Sequence, residues 1–221
     1  MRILALIAIA ACGSSNPSGA VPDGSAGSGS GSGSGAANPD AGVVDSTTPV
    51  IPAPTGTCPT IAPGDVTFAP AGIPPRKVKL AFDPAKAGHG ELVFYWYATG
   101  SGVAEAAYSL GATLNAITAA GGIVATPYAD STAGQFEWFI VNGSSKQDDF
   151  LVADEVVGCL AQAHLIDPNQ IHSMGMSAGA LQTTAISFIR ASYVASVATY
   201  SGGIPPGFSP ANQDPENKFA A

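Results

Sequence analysis

The sequence predicts an α/β fold, a mostly parallel sheet with helices on both faces, from three observations. Strand and helix periods alternate between residues 77 and 200, and strands separated by helices are joined by the crossovers that a parallel sheet requires. A Gly-x-Ser-x-Gly turn, Gly175-Met176-Ser177-Ala178-Gly179, lies between one such strand and the helix after it. Finally, a hydrophobic content of 46% over 221 residues is enough to build one core.

Residues 1–11 stand apart from that fold. Arg2 precedes an apolar run over residues 3–11, too short for the roughly 20 residues of a membrane span and arranged as an export signal that is removed. Ile9-Ala10-Ala11-Cys12 resembles the bacterial lipobox, in which the cysteine after a small residue is lipidated before cleavage. The resemblance implies that Cys12 begins the mature chain and that acyl chains anchor it to a membrane, in the cell envelope or at the cell surface. An ordinary secretory signal cleaved nearby is the alternative.

Residues 12–57 read as a tether. They are rich in Gly, Ser and Pro and include the run from Gly27 to Gly35 in which Gly and Ser alternate, with no Lys, Arg or aromatic residue. Such a composition buries too little to order itself. Every aromatic residue lies from Phe68 onward, which places the folded domain at residues 58–221. The net charge is −8 and only 11% of residues are charged. Nucleic acid is therefore not expected as a partner, because tracking phosphates needs clustered Lys and Arg. The densest basic group, Arg76, Lys77 and Lys79, reads as the solvated edge of a strand.

Within the domain, residues 77–82 form the first expected strand. Residues 92–97 form a continuous aliphatic and aromatic run of the kind buried on both faces of a sheet. Val103, Ala107, Leu110, Leu114 and Ile117 recur at helical spacing and stop at Gly121-Gly122. A strand follows at residues 123–126. Ser145-x-x-Asp148 is a capping signature, opening a helix whose stripe is Val152, Val156, Leu160 and Ala163 and whose end falls near Asp167-Pro168. A strand at 171–174, a helix at 178–192 and a strand at 194–200 complete the alternation.

The chemistry concentrates at Ser177. Gly175 and Gly179 permit a sharp bend from strand into helix, which lifts the Ser177 hydroxyl into an exposed, strained position. The same turn sets it at a helix N-terminus, where backbone N–H groups stabilise a developing oxyanion. With these flanks the segment resembles the nucleophile turn of the α/β-hydrolase fold. Within that fold, residues 77–221 resemble the secreted esterases grouped with polyhydroxybutyrate depolymerases and feruloyl esterases. The resemblance implies a serine esterase acting through an acyl-enzyme outside the cytoplasm, with Ser177 as nucleophile. It also implies an oxyanion hole from the backbone amides of Thr99 and Ala178, although Tyr97-Ala98 stands where the group has His-Gly. Tyr128-Ala129-Asp130 resembles the group's Tyr-Pro-Asp loop, and Asp148-Asp149 the acidic pair opening its next helix. The plainer reading of these carboxylates is loop and cap groups facing solvent.

In this fold the order is serine, then acid, then histidine. His89, His164 and His172 all precede Ser177, and the later carboxylates are only Asp214 and Glu216. Position assigns His89 to a surface turn, His164 to a helix end and His172 to packing along the strand. The expectation is an N-terminal part of a longer hydrolase whose acid and base follow Ala221. A catalytically dead, hydrolase-like surface lipoprotein with a binding or scaffold role is the rival, and a peptidase of the same fold a third reading. Trp138 and the aromatic segment 136–139 suit a polymeric or aryl ester substrate, or else packing. No metal motif and no nucleotide loop is present, so no cofactor is expected. Once Cys12 is lipidated, Cys58 and Cys159 remain as an even pair in an oxidising compartment, either bridged or as two thiols.

Overall fold

A computed structural model describes residues 48–205. The export signal, Cys12, residues 13–47 and residues 206–221 with Asp214 and Glu216 lie outside the described residues. The elements run β1 (Gly64–Phe68), β2 (Arg76–Ala81), β3 (Gly90–Trp96), α1 (Glu105–Leu110), α2 (Ala112–Ala119), β4 (Ile123–Pro127), α3 (Asp148–Gln162), β5 (Ile166–Met176), α4 (Ala178–Ile189) and β6 (Ser196–Tyr200). One six-stranded sheet has the order β1-β2-β4-β3-β5-β6. Strand β1 is antiparallel to β2 and β2 to β4, while β3, β4, β5 and β6 pair in parallel.

Strand β3 is central, and its run from Leu92 to Trp96 is buried throughout, as covering on both faces requires. Alternation along β5 assigns the two layers. The Ser173 hydroxyl meets Thr183 of α4 and accepts from Trp96 Nε1 at 3.0 Å, so Ser173 and Gly175 face α4. Met174 and Met176 therefore face the other way, toward α1 and α2. Helix α3 shares the α4 side, because its Asp154 takes the Arg190 guanidinium at the end of α4 at 2.7 Å. On that side Trp96 meets Trp138 edge to face, with ring centroids 5.0 Å apart.

Several elements depart from the sequence pattern. The helix expected from Val103 to Ile117 is broken in two at Gly111, whose φ of +51° ends α1 and begins α2. A single periodic stripe conceals such a break because the apolar spacing continues across it. Strand β1 carried no sequence signal of its own, having only Val66 and Phe68 as buried apolar positions. Helix α3 ends at Gln162, and Asp167-Pro168 lies inside β5. Proline is accommodated there because the pairing with β3 shifts register between Gly90 and Leu92, leaving an irregular stretch. Ser145 does not cap α3: the N-cap is Gln147, without a side-chain cap bond.

Two corrections concern charge and the start of the domain. Arg76 is buried, not solvated, while Lys77 and Lys79 of the same strand are exposed. Residues 48–57 pack on the domain, although their composition groups them with the tether. Val50 N–H donates to the Ser192 carbonyl at 2.9 Å. Thr55 N–H and Gly56 N–H donate to the two oxygens of the buried Glu155 at 2.7 and 2.9 Å. Just beyond, Cys58 is bonded to Cys159 of α3 with their Cα atoms 5.4 Å apart, joining this leading segment to the helix.

Candidate active site

Strand β5 ends at Met176 and α4 begins at Ala178, so Ser177 alone makes the turn. Its backbone has φ +54° and ψ −117°, a conformation costing a non-glycine residue about 1–3 kcal/mol. Two glycines make it attainable. A Cβ on Gly175 would overlap the Gly179 carbonyl, and a Cβ on Gly179 would overlap the Trp96 carbonyl. The turn is thus pressed against the end of β3. Ser177 N–H donates to the Tyr200 carbonyl of β6 at 2.9 Å, which fixes the turn from the opposite strand. The Ser177 side chain is exposed, and the Ala178 and Gly179 amides open α4 ahead of its first bond, from Ala180 N–H to the Ser177 carbonyl at 3.0 Å.

Register brings the other expected residues to the same end of the sheet. Trp96 pairs with Gly175, so Thr99 and Ala178 each lie three residues past a matched pair. Thr99 is exposed, whereas Ala178 is buried. Met176, between Gly175 and Ser177, lines a cavity of about 420 Å³ with Tyr95, Leu110, Met174 and Tyr200, on the face away from α4.

The loop after β3 is held by groups that sequence reasoning did not single out. Glu105, at the start of α1, is buried and accepts from the Tyr95 hydroxyl at 2.9 Å and from Ala98 N–H at 3.1 Å. Burial chiefly, with Glu105 adding, pushes the Tyr95 phenol up to about 12. Glu137 accepts from Gly100 N–H at 2.8 Å. The Tyr97 carbonyl accepts from Trp138 Nε1 at 3.1 Å, and the Tyr97 hydroxyl accepts from Ala129 N–H at 2.7 Å. Burial raises the Tyr97 phenol as well. The one available signal was scarcity: in a chain with 11% charged residues, an acid a few residues beyond a buried strand warrants a partner.

Tyr128, Asp130 and Asp149 form a clamp on the buried Arg76 rather than a solvent-facing set of caps, and Asp148 beside them is buried but does not meet Arg76. Arg76 donates to Asp149 at 3.0 Å and to Asp130 at 3.2 Å, and Asp149 also accepts from Phe139 N–H at 2.8 Å. Hydrogen bonds from the Thr132 hydroxyl and amide hold Asp130 below the usual carboxylate range, with Arg76 assisting. Burial pushes Asp149 up against the opposing pull of Arg76. The clamp fastens the segment between β4 and α3 to β2 and leaves its carboxylates committed to Arg76.

The three histidines lie at the other end of the strands. His172 is five residues before Ser177 on β5, about 16 Å away at the usual rise, and its ring meets the Ser196 hydroxyl at 2.8 Å and Glu91 at 3.8 Å. His89 precedes β3 and His164 precedes β5, both with positive φ. No histidine reaches Ser177. Trp138 and Phe139 are interior side chains, leaving Phe136 as the exposed aromatic of segment 136–139. Among the described residues no three His, Cys, Asp or Glu side chains converge as metal ligands.

A doubly covered, mostly parallel sheet with a strained serine between β5 and the helix after it defines the α/β-hydrolase fold, and the chain has that fold. No protein-family model and no curated protein matches the sequence. Solved structures do. The native crystal structure of a protein named sOPH superposes with a TM-score of 0.54 at 15% identity, covering 69% of this chain and 54% of that one. The native structure of pOPH gives a TM-score of 0.52 at 15% identity, covering 66% and 53%. An acetyl xylan esterase from Aspergillus awamori gives 0.48 at 18% identity, covering 62% and 51%. The chain spans about half the length of these structures.

Proposed function

We propose that the protein is a serine esterase in which Ser177 attacks an ester carbonyl. The observation that carries this reading is the backbone of Ser177: a non-glycine residue held at φ +54° between two obligatory glycines, exposed at the start of α4. Such strain is retained where function uses it. As the Ser177 oxygen bonds to the carbonyl carbon, its proton passes to a base. The oxyanion is held by the Thr99 and Ala178 amides, and the alcohol departs with that proton to leave an acyl-enzyme. Water then attacks the acyl carbon, and the acid leaves. His89, His164 and His172 are all distant from Ser177, so the reading requires a base that none of the three supplies. The proposed setting is the cell envelope, with Cys12 as the lipidated first residue. A mass spectrum of the mature N-terminus tests that placement, and a start other than lipidated Cys12 rejects it.

The protein made from the whole reading frame is expected to hydrolyse short-chain p-nitrophenyl esters and to be labelled by a fluorophosphonate. Ser177→Ala should remove the labelling and lower kcat by about 10³-fold or more. A protein that neither hydrolyses nor labels rejects the esterase. The position of the histidines favours one rival, a noncatalytic lipoprotein that keeps the fold. It predicts no histidine downstream and no measurable change from Ser177→Ala.

A further inference from the structure

We infer that Glu105 and Glu137 are positioning residues that hold the amides on either side of Thr99, so that the Thr99 N–H is the donor the loop presents to the oxyanion. The inference rests on the esterase reading above. Ala98 N–H is taken by Glu105 at 3.1 Å, Gly100 N–H by Glu137 at 2.8 Å, and Ser101 N–H by the Ala98 carbonyl at 3.0 Å. Among the described residues the Thr99 amide has no acceptor, and Thr99 is exposed at the end of the sheet that carries Ser177. Three of four consecutive amides are therefore spoken for, and the free one is the one a substrate can reach.

The chemistry of the two holders argues against a role in stability alone. Neither carboxylate has a cation within ion-pair distance among the described residues. Burying an acid without a cation is unfavourable, and its oxygens then demand N–H and O–H donors. Glu105 has them in Tyr95 and Ala98. Glu137 is held less well: its φ is +61°, and its second oxygen, Oε2, is buried without a partner. A strained residue with an orphaned oxygen whose bonded oxygen serves one loop amide is placed for that amide. The end of β3 is itself fixed, since Gly179 leaves no clearance beneath the Trp96 and Tyr97 carbonyls. The two glutamates thus set how the loop leaves a rigid base.

Amide hydrogen exchange followed by NMR on the 221-residue chain tests the geometry without any activity. Ala98 and Gly100 should exchange at least about tenfold more slowly than Thr99 after correction for intrinsic rates. Glu137→Ala should remove the protection of Gly100 and spare that of Ala98, while Glu137→Gln, which retains an acceptor oxygen, should keep both. Equal protection of Thr99 and its neighbours, or a Gly100 indifferent to Glu137→Ala, overturns the inference. In the whole-frame protein Glu137→Ala should lower kcat on p-nitrophenyl acetate about 10-fold to 100-fold with KM within about twofold, and Glu137→Gln should restore most of it. A change confined to KM overturns the positioning role. An inactive wild type with the expected exchange pattern rejects the esterase reading and with it the purpose of the clamp. An active wild type with unprotected Ala98 and Gly100 rejects the clamp alone.

Discussion

Helix α3 and the loop after β3 are both held by buried or half-buried carboxylates, but the two sets are partnered differently. On α3, Asp149 meets Arg76, Asp154 meets Arg190 and the Tyr193 hydroxyl, and Glu155 takes two amides and the Thr55 hydroxyl. These contacts join parts of the chain that are 36 to 100 residues apart, and the Cys58–Cys159 bond adds a covalent tie to the same helix. Around the loop, Glu105 and Glu137 have no cation among the described residues and meet backbone amides and phenols. The α3 side is a frame whose polar groups are paired. The loop side keeps an unpaired oxygen, a strained residue and a strained serine next to the exposed end of the sheet. Substitutions in the first should lower stability and leave the turn intact, whereas substitutions in the second should alter the turn or its loop without lowering stability.

Arg76→Ala is the largest expected break in the frame. It leaves Asp149 and Asp130 without their cation inside the protein, and the expected loss is about 3–5 kcal/mol, read as a lower urea midpoint with an unchanged slope. If Arg76→Ala instead unfolds at the wild-type midpoint, the α3 frame is not held by charge. The disulfide comes next. Cys58→Ser opens a loop of 101 residues and should cost about 2–4 kcal/mol, with the same shift produced in the wild type by a reductant. A midpoint insensitive to reduction would show that the hydrogen bonds of Thr55 and Gly56 hold the leading segment unaided.

On the loop side, Ser177→Gly should raise stability by about 1–3 kcal/mol, because glycine occupies φ +54° without strain. The same change removes the proposed nucleophile, so stability and acylation move in opposite directions. A destabilised Ser177→Gly would show that the turn is relaxed, which dissolves the contrast between the two regions. The smallest expected effect is acid sensitivity. Asp130 is held below the usual carboxylate range in the folded protein, so its contribution is present above the ordinary value and is lost as pH falls through the folded one. Urea midpoints should therefore decline as pH falls below about 4, less steeply in Asp130→Asn. Equal slopes for the two proteins would remove Asp130 from the frame.

The sequence by itself determined the layers and the turn. Hydrophobic period is a local property, and it reports which face of a strand or helix is apolar, so the alternation of elements and the buried run in β3 were legible. The glycine turn was legible for the same reason, since the residues that crowd Gly175 include Gly179, four positions away. Tertiary structure alone decided who partners the buried charges. Arg76 looked like a solvated strand edge because period says nothing about a partner 73 residues away, and that partner is set by the strand order that places β2 beside β4. Residues 48–57 looked like tether because composition averages over a window, whereas Glu155 binds two particular amides within it. Glu105 lies seven residues from Ala98, yet its role was illegible too. An acid at the start of a helix normally serves the helix dipole, and only the turn of the chain after Trp96, pressed against Gly179, brings the Ala98 amide back onto it.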